Sequence, residues 1–442
     1  MKTLVWTIVA AAGLAIVGCN LTGKYRVGGT LTGLRGLGLV LQDNSGADLS
    51  LSSNGAFAFA GRIKTKIAYS VTVKTQPSNP TQTCTVHNGS GTINKNNITN
   101  VIVSCTQAGR LAYVANQLSN NVSAYAIDSA NGFLLPINGS PFPDSGTTPV
   151  ALTVDPNGNF LYVVNSGSDD VSVYAIDYAT GTLTATGIPA RTGSAPESVV
   201  VDPTDTYLYV ANLNANSVSA YTINSSTGQL TELSNSPFAV GAAPSSLKID
   251  PSGNFLYITE FNNGNVTAAV INTATGSLSV VSGSPFGAGA GTLSIAIDPT
   301  GAYAYVANET AATISGYAIN TSSGGLTAVS GSPLSTGSSP ESLAVDPAGR
   351  FLYAVNVTAK NQVAAYGIAP ATGALTLSGS PIGTGLFPVS IAIDPSGLWA
   401  YVANDTSNDI SVYAVNPTSG VLTPASHSPF AAGNQPRSIV ID

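Results

Sequence analysis

Charge is what this chain has least of. Asp, Glu, Lys and Arg make up 8% of its 442 residues, about a third of the usual share in soluble proteins. Fifteen Lys and Arg stand against 22 Asp and Glu, for a net charge of -7. The clustered cations that grip phosphate backbones are missing, which argues against nucleic acid as a partner. Histidine is scarcer still, with only His87 and His427. The side chain that usually serves as general base near neutral pH is therefore almost absent. His427 sits where neighbouring units have Gly283, Gly331 or Gly379, a loop position. There is no Ser-His-Asp set, no glycine-rich phosphate loop, and no zinc or calcium spacing. No cofactor and no metal are expected. No stretch carries the apolar period of a helix. Ser, Thr, Asn and Gly fill the places that charge leaves. The surface is then polar but uncharged, while 43% hydrophobic residues suffice for a buried core.

What is present is repetition. A Tyr-x-x-Asn tetrad, once ending in Glu, starts at Tyr113, Tyr162, Tyr209, Tyr257, Tyr305, Tyr353 and Tyr401, in steps of 47–49 residues. An Asp-Pro pair precedes every tetrad but the first, at Asp155, Asp202, Asp250, Asp298, Asp346 and Asp394. The first tetrad lacks its lead-in, and Ser438 to Asp442 has the sequence of that lead-in. A strand supplied from the far end closes a ring of blades and removes its open edges. A period in this range predicts about four strands per unit. In one unit these are 246–250, 255–259, 266–271 and 278–281. Asp-Pro-x-Gly between the first two has the residues of a type I turn passing into a glycine bulge. Thr-Gly pairs at Thr180, Thr227, Thr275 and Thr372 serve the third and fourth strands in the same way. The predicted class is all-β: a seven-bladed propeller over residues 108–442, closed by the C-terminal strand.

Residues 19–107 lie outside the repeat. Alternating segments at 37–42, 56–60, 69–74 and 101–105 predict short strands and a small β-sandwich. Residues 1–18 have the pattern of a signal peptide: Lys2, then an apolar stretch from Leu4 to Val17 too short to span a bilayer comfortably. It ends in Ile16-Val17-Gly18-Cys19, which resembles a bacterial lipobox. The resemblance implies acylation of Cys19, a membrane anchor and a cell-envelope location. With Asn20 and no Asp retention signal following, it implies the outer membrane. That leaves Cys84 and Cys105, an even pair in an exported chain, for which a disulfide is expected.

The units resemble the YVTN-type repeats of lactonase-fold β-propellers, as YVAN at Tyr113, Tyr209, Tyr305 and Tyr401, YVVN at Tyr162, YITE at Tyr257 and YAVN at Tyr353. That superfamily contains 6-phosphogluconolactonase-like and muconate-cycloisomerase-like enzymes and also surface proteins without a demonstrated reaction. Residues 37–105 resemble the small Ig-like modules of bacterial surface lipoproteins, which implies a spacer.

Aligning units on the Asp of Asp-Pro exposes one ring five residues earlier: Val150, Glu197, Ser245, Leu293, Glu341, Val389 and Arg437. Three charges in a protein this poor in charge are the candidate constellation. Glu197 or Glu341 would act as base, and Arg437 would hold a carbonyl or an anion. The alternative is a salt bridge across the channel mouth. The tetrad Asn residues predict a structural role at strand ends, and Glu260, in place of one of them, is a binding candidate at the same mouth. Asp169, Asp170, Glu309, Asp405 and Asp409 add carboxylates nearby. The sequence thus supports two functions. The first is a monomeric, lipid-anchored module that binds or scaffolds a glycan, a cell-envelope component or a protein. The second is a lactonase-type hydrolase working at the channel mouth.

Overall fold

The computed structural model describes residues 23–442, apart from 33, 35–37, 45, 78–81, 108–109, 179 and 358–360. Cys19 and the signal segment lie outside the described residues. The chain divides after Thr106 into two compact units. No helix among the described residues is long and apolar enough to cross a membrane.

The first unit contains two four-stranded sheets. One orders Gly55–Ala58, Val27–Thr32, Ile98–Gln107 and Gln82–His87, and the other Ala47–Leu51, Leu39–Asp43, Ala68–Thr75 and Ser90–Thr92. Alternation puts Leu39 and Leu41 from one sheet and Val101 and Val103 from the other into one shared core, as two facing sheets require. Cys84 and Cys105, on adjacent strands, are joined by a disulfide.

The second unit is a ring of seven sheets, six with the strand order of the sequence and the seventh taking its innermost strand from the C-terminus. The innermost strands are Pro149–Val154, Pro196–Val201, Pro244–Ile249, Thr292–Ile297, Ser339–Val345, Pro388–Ile393 and Pro436–Ile441. The last of these pairs antiparallel with Arg110–Asn116, with Tyr113 opposite Val440, so the ring closes as the missing lead-in predicts. Each Asp of Asp-Pro is buried and caps its turn. Asp250, for example, accepts from the amides of Ser252, Asn254 and Phe255.

The blade has one strand more than the four expected. A two-residue strand follows the fourth, such as Phe286–Gly287, and both pair with the same third strand, Asn265–Ile271. The break between them is bridged by a serine. Ser284 Oγ accepts the Ala268 amide at 2.9 Å, and Ser140, Ser236, Ser332 and Ser428 repeat the contact. Two residues are too few for alternation to announce a strand.

Blades are tied to one another as well as packed. One core cluster takes Tyr257 and Val266 from one blade and Ile295, Val306 and Tyr317 from the next. The tetrad tyrosine, fully buried, reaches across this interface. Tyr209 donates to the Gly276 carbonyl at 2.9 Å, and Tyr113, Tyr257, Tyr305, Tyr353 and Tyr401 make the equivalent bond. The Tyr162 hydroxyl has no partner among the described residues.

Candidate functional site

The ring of residues that includes Glu197, Glu341 and Arg437 has a backbone cause. In each innermost strand the first pair is set by the tetrad, with Pro196 opposite Asn212. The next pair is Ser198 opposite Ala211, so Glu197 is an extra residue without a partner. Glu341 stands in the same way between Pro340 and Ser342, and Arg437 between Pro436 and Ser438. All seven ring positions are β-bulges, which interrupt a ladder and re-aim a side chain.

The bulge is set up by the residue before the proline. Thr148, Ala195, Ala243, Phe387 and Gln435 all have φ between 51° and 58°, in the left-handed region that L-residues rarely occupy. Their amides are held by side chains from the preceding blade. Asn120 accepts from Thr148, Asp169 from Ala195, Asn216 from Ala243, Asn361 from Phe387 and Asn408 from Gln435. Five of the seven blades thereby fix how their neighbours enter the channel wall; the bulge at Glu341 forms without such a residue, Ser339 not being left-handed.

The three charges act on one another, while the ion pair that Arg437 makes is with Asp405. Arg437 lies two blades from each glutamate around the ring, yet its guanidinium acts electrostatically on both. Only the axis brings such blades together. Partial burial pushes the Glu341 carboxyl up to about 7; neighbouring Glu309 pushes the same way and Arg437 opposes them. Burial raises Glu197 as well, again against Arg437. Arg437 is two-thirds covered and stands 3.8 Å from Asp405 Oδ2. Glu309 and Asp405 each follow directly on a tetrad Asn, in the blade before the ring residue they face. The sequence offered them only as loose loop carboxylates. Their shared offset from the tetrad was the available signal.

Glu260 is placed elsewhere. It is 1% exposed, accepts from the Gly241 amide at 3.1 Å and Asn263 Nδ2 at 3.3 Å, and bonds the Thr267 hydroxyl. Its carboxylate takes the place that Asn212 fills with Ser217 and Ser219, or Asn308 with Thr313 and Ser315. It ties its own hairpin together and does not join the trio. Asp170 and Asp409 similarly accept from Asn165 and Asn404. His427 packs edge-on against Phe133, with ring centroids 4.9 Å apart.

Lys248 was not singled out by the sequence. It lies on an innermost strand with its side chain exposed to solvent, and partial loss of hydration to the protein around it lowers its pKa from the ordinary lysine value. At three residues from the ring position it is roughly 10 Å along the strand from the trio. No group of three or more metal-ligating side chains exists among the described residues.

The fold has many relatives among solved structures. A protein from Bacteroides uniformis, provisionally named a 6-phosphogluconolactonase, superimposes with a TM-score of 0.67 at 20% identity, over 76% of this chain and all of that one. A Bacteroides fragilis protein of the same provisional name gives 0.66 at 20% identity, over 76% and 99%. The periplasmic gluconolactonase PpgL of Pseudomonas aeruginosa gives 0.64 at 21% identity, again over 76% and 99%. At this identity the likeness is one of fold. No curated protein matches the sequence. The family model described as lactonase, 7-bladed beta-propeller matches residues 69–244 and 241–440. With seven closed blades and most of its length matched, the chain belongs to the lactonase family of seven-bladed β-propellers.

Proposed function

We propose that this protein hydrolyses lactones at the channel mouth. The observation that carries the proposal is a single guanidinium, Arg437, whose charge acts on two half-buried carboxyls, one of them raised to about 7. A base with its pKa near the working pH combines a useful ionised fraction with proton affinity. Glu341 would take a proton from water as that water attacks the lactone carbonyl. Arg437 would hold the developing oxyanion with its fixed pair of N–H donors. Collapse of the tetrahedral adduct breaks the ring C–O bond. The leaving alkoxide takes the proton held by Glu341 or one from Glu197. One water is consumed and a hydroxy acid is released.

The charge around the mouth supports an uncharged ring as substrate. Glu197, Glu341, Glu309 and Asp405 outnumber the one cation that faces them. A phosphorylated lactone would have to reach Lys248 for compensation. Binding without chemistry, the reading favoured by the uncharged surface, has no specific contact in its support. Family membership and the carboxyl–guanidinium geometry favour hydrolysis. The proposed setting is the cell envelope, with Cys19 as the lipid attachment and the sandwich as spacer.

The test is a pH–rate profile on glucono-1,5-lactone with protein lacking residues 1–19. Turnover should rise through pH about 7. Glu341→Gln should lose on the order of a hundred-fold or more. Arg437→Gln should move the rise to higher pH, because the charge that lowers the Glu341 pKa is gone. Equal rates in all three proteins would end the proposal.

A further inference from the structure

The channel mouth has an apolar side. Leu386 and Phe387, just before Pro388, are 56% and 41% exposed. The other innermost strands have Thr147-Thr148, Ser194-Ala195, Ala242-Ala243, Ala290-Gly291, Ser338-Ser339 and Asn434-Gln435 at this place. Phe387 has φ 56°, a conformation in which a bulky side chain is a genuine outlier. Ala243 meets the same backbone demand at φ 57°, so the fold does not require an aromatic at this place. The left-handed backbone is common to five blades, so what sets this one apart is a pair of large apolar side chains exposed at the mouth.

The position says which ligand. The Phe387 carbonyl accepts the Asp405 amide at 2.8 Å, and Asp405 is the carboxylate facing Arg437. Leu386 is pinned alongside, its amide donating to Ser407 Oγ at 3.0 Å. Exposed large apolar side chains elsewhere on the propeller, such as Leu135, Ile188, Val280 and Leu377, lie toward the outer edges of the blades, where no charged group of the mouth is near.

We infer that Leu386 and Phe387 form a subsite for an apolar arm carried by the ligand whose carbonyl or carboxylate engages Arg437. The ligand class is a lactone bearing an alkyl or aryl substituent, together with its hydroxy-acid product. This rests on the proposed lactone chemistry for its head group, while the arm is read from the patch alone.

Binding without turnover tests it. Calorimetry would compare 5-hydroxydecanoate with 5-hydroxyvalerate, the ring-opened acids of δ-lactones with and without a five-carbon arm. The armed acid should bind at least about ten-fold tighter, since burying two methylene groups suffices for that. The preference should vanish in Leu386→Ala/Phe387→Ala, which is expected to fold because Ala occupies both equivalent positions at Ala242 and Ala243. No preference in the unaltered protein, or one that survives the double substitution, overturns the inference. So does self-association in sedimentation that the same substitutions abolish, which would assign the patch to a second copy of the chain. If δ-valerolactone and δ-decalactone both resist hydrolysis while the binding preference holds, the proposed reaction fails and the subsite stands.

Discussion

Two identical substitutions at equivalent places should have opposite effects. Tyr209 and Tyr162 are both tetrad tyrosines and both fully buried. Tyr209 donates across the blade interface to the Gly276 carbonyl at 2.9 Å, and Tyr162 has no partner among the described residues. Tyr209→Phe removes the donor and leaves a buried carbonyl unsatisfied, at a cost of about 1–3 kcal/mol. Tyr162→Phe removes a hydroxyl that was buried without compensation, which is neutral or stabilising by up to about 1 kcal/mol. Neither ring is lost, so packing is held constant. The two variants should differ by about 2 kcal/mol, or roughly 3 °C in Tm for a domain of this size. Thermal melts followed by near-ultraviolet circular dichroism would measure it, with denaturant midpoints as a second reading. Equal destabilisation of both variants would mean that the Tyr162 hydroxyl finds an acceptor in solution, the nearby Asp155 carboxyl being the candidate. No effect in either would mean that the bonds between blades contribute nothing to stability, and the reasoning would fail.

Removing residues 437–442 should leave Arg110–Asn116 as an open edge and cause aggregation visible by light scattering; a monomeric, unaltered melt would contradict the closure. Cys84→Ala/Cys105→Ala should destabilise the sandwich by about 3 kcal/mol, from a loop closed across 21 residues, and an unshifted transition for that unit would refute it. Cys19→Ser should release the protein from the membrane fraction, and a variant that still sediments with membranes would exclude the lipid anchor.

The ring and its seam were legible because they depend on residue types at fixed offsets. Asp-Pro makes a turn, Tyr-x-x-Asn marks a buried strand, and the orphaned first tetrad requires a partner. The shared position of Glu197, Glu341 and Arg437 was legible for the same reason, since counting back from Asp-Pro places all three at one level, the bulge of the innermost strand. What could not be read was how a neighbouring blade acts on each unit. The left-handed turn at Ala195 depends on Asp169, and the bulge at Glu197 follows from it. The raised Glu341 depends on Glu309 from the blade before. Glu260 seemed to depart from a ring of asparagines, but Thr267 and Gly241 turn it to the same bonding task. Asp205 stands where other units have glycine in the Asp-Pro turn. It lies against Asp155, whose carboxyl burial and Asp205 together push up. Contacts of this kind belong to pairs of units, so no single unit announces them.

The seam at Tyr113 and Val440 also orders events in time. Strands within a blade are a few residues apart along the chain and can pair as soon as they appear. The second strand of the opening blade must wait for a partner from nearly the whole length of the unit away. Its pairing is the contact of longest range in the molecule and therefore the slowest to be found. Until then every completed blade sits in an open arc with an adhesive side at each end. The tyrosine bonds between neighbours hold that arc in shape for the final strand to dock. An interrupted chain, however many blades it has finished, never loses its two adhesive sides, and a quality-control protease or chaperone can recognise it by them.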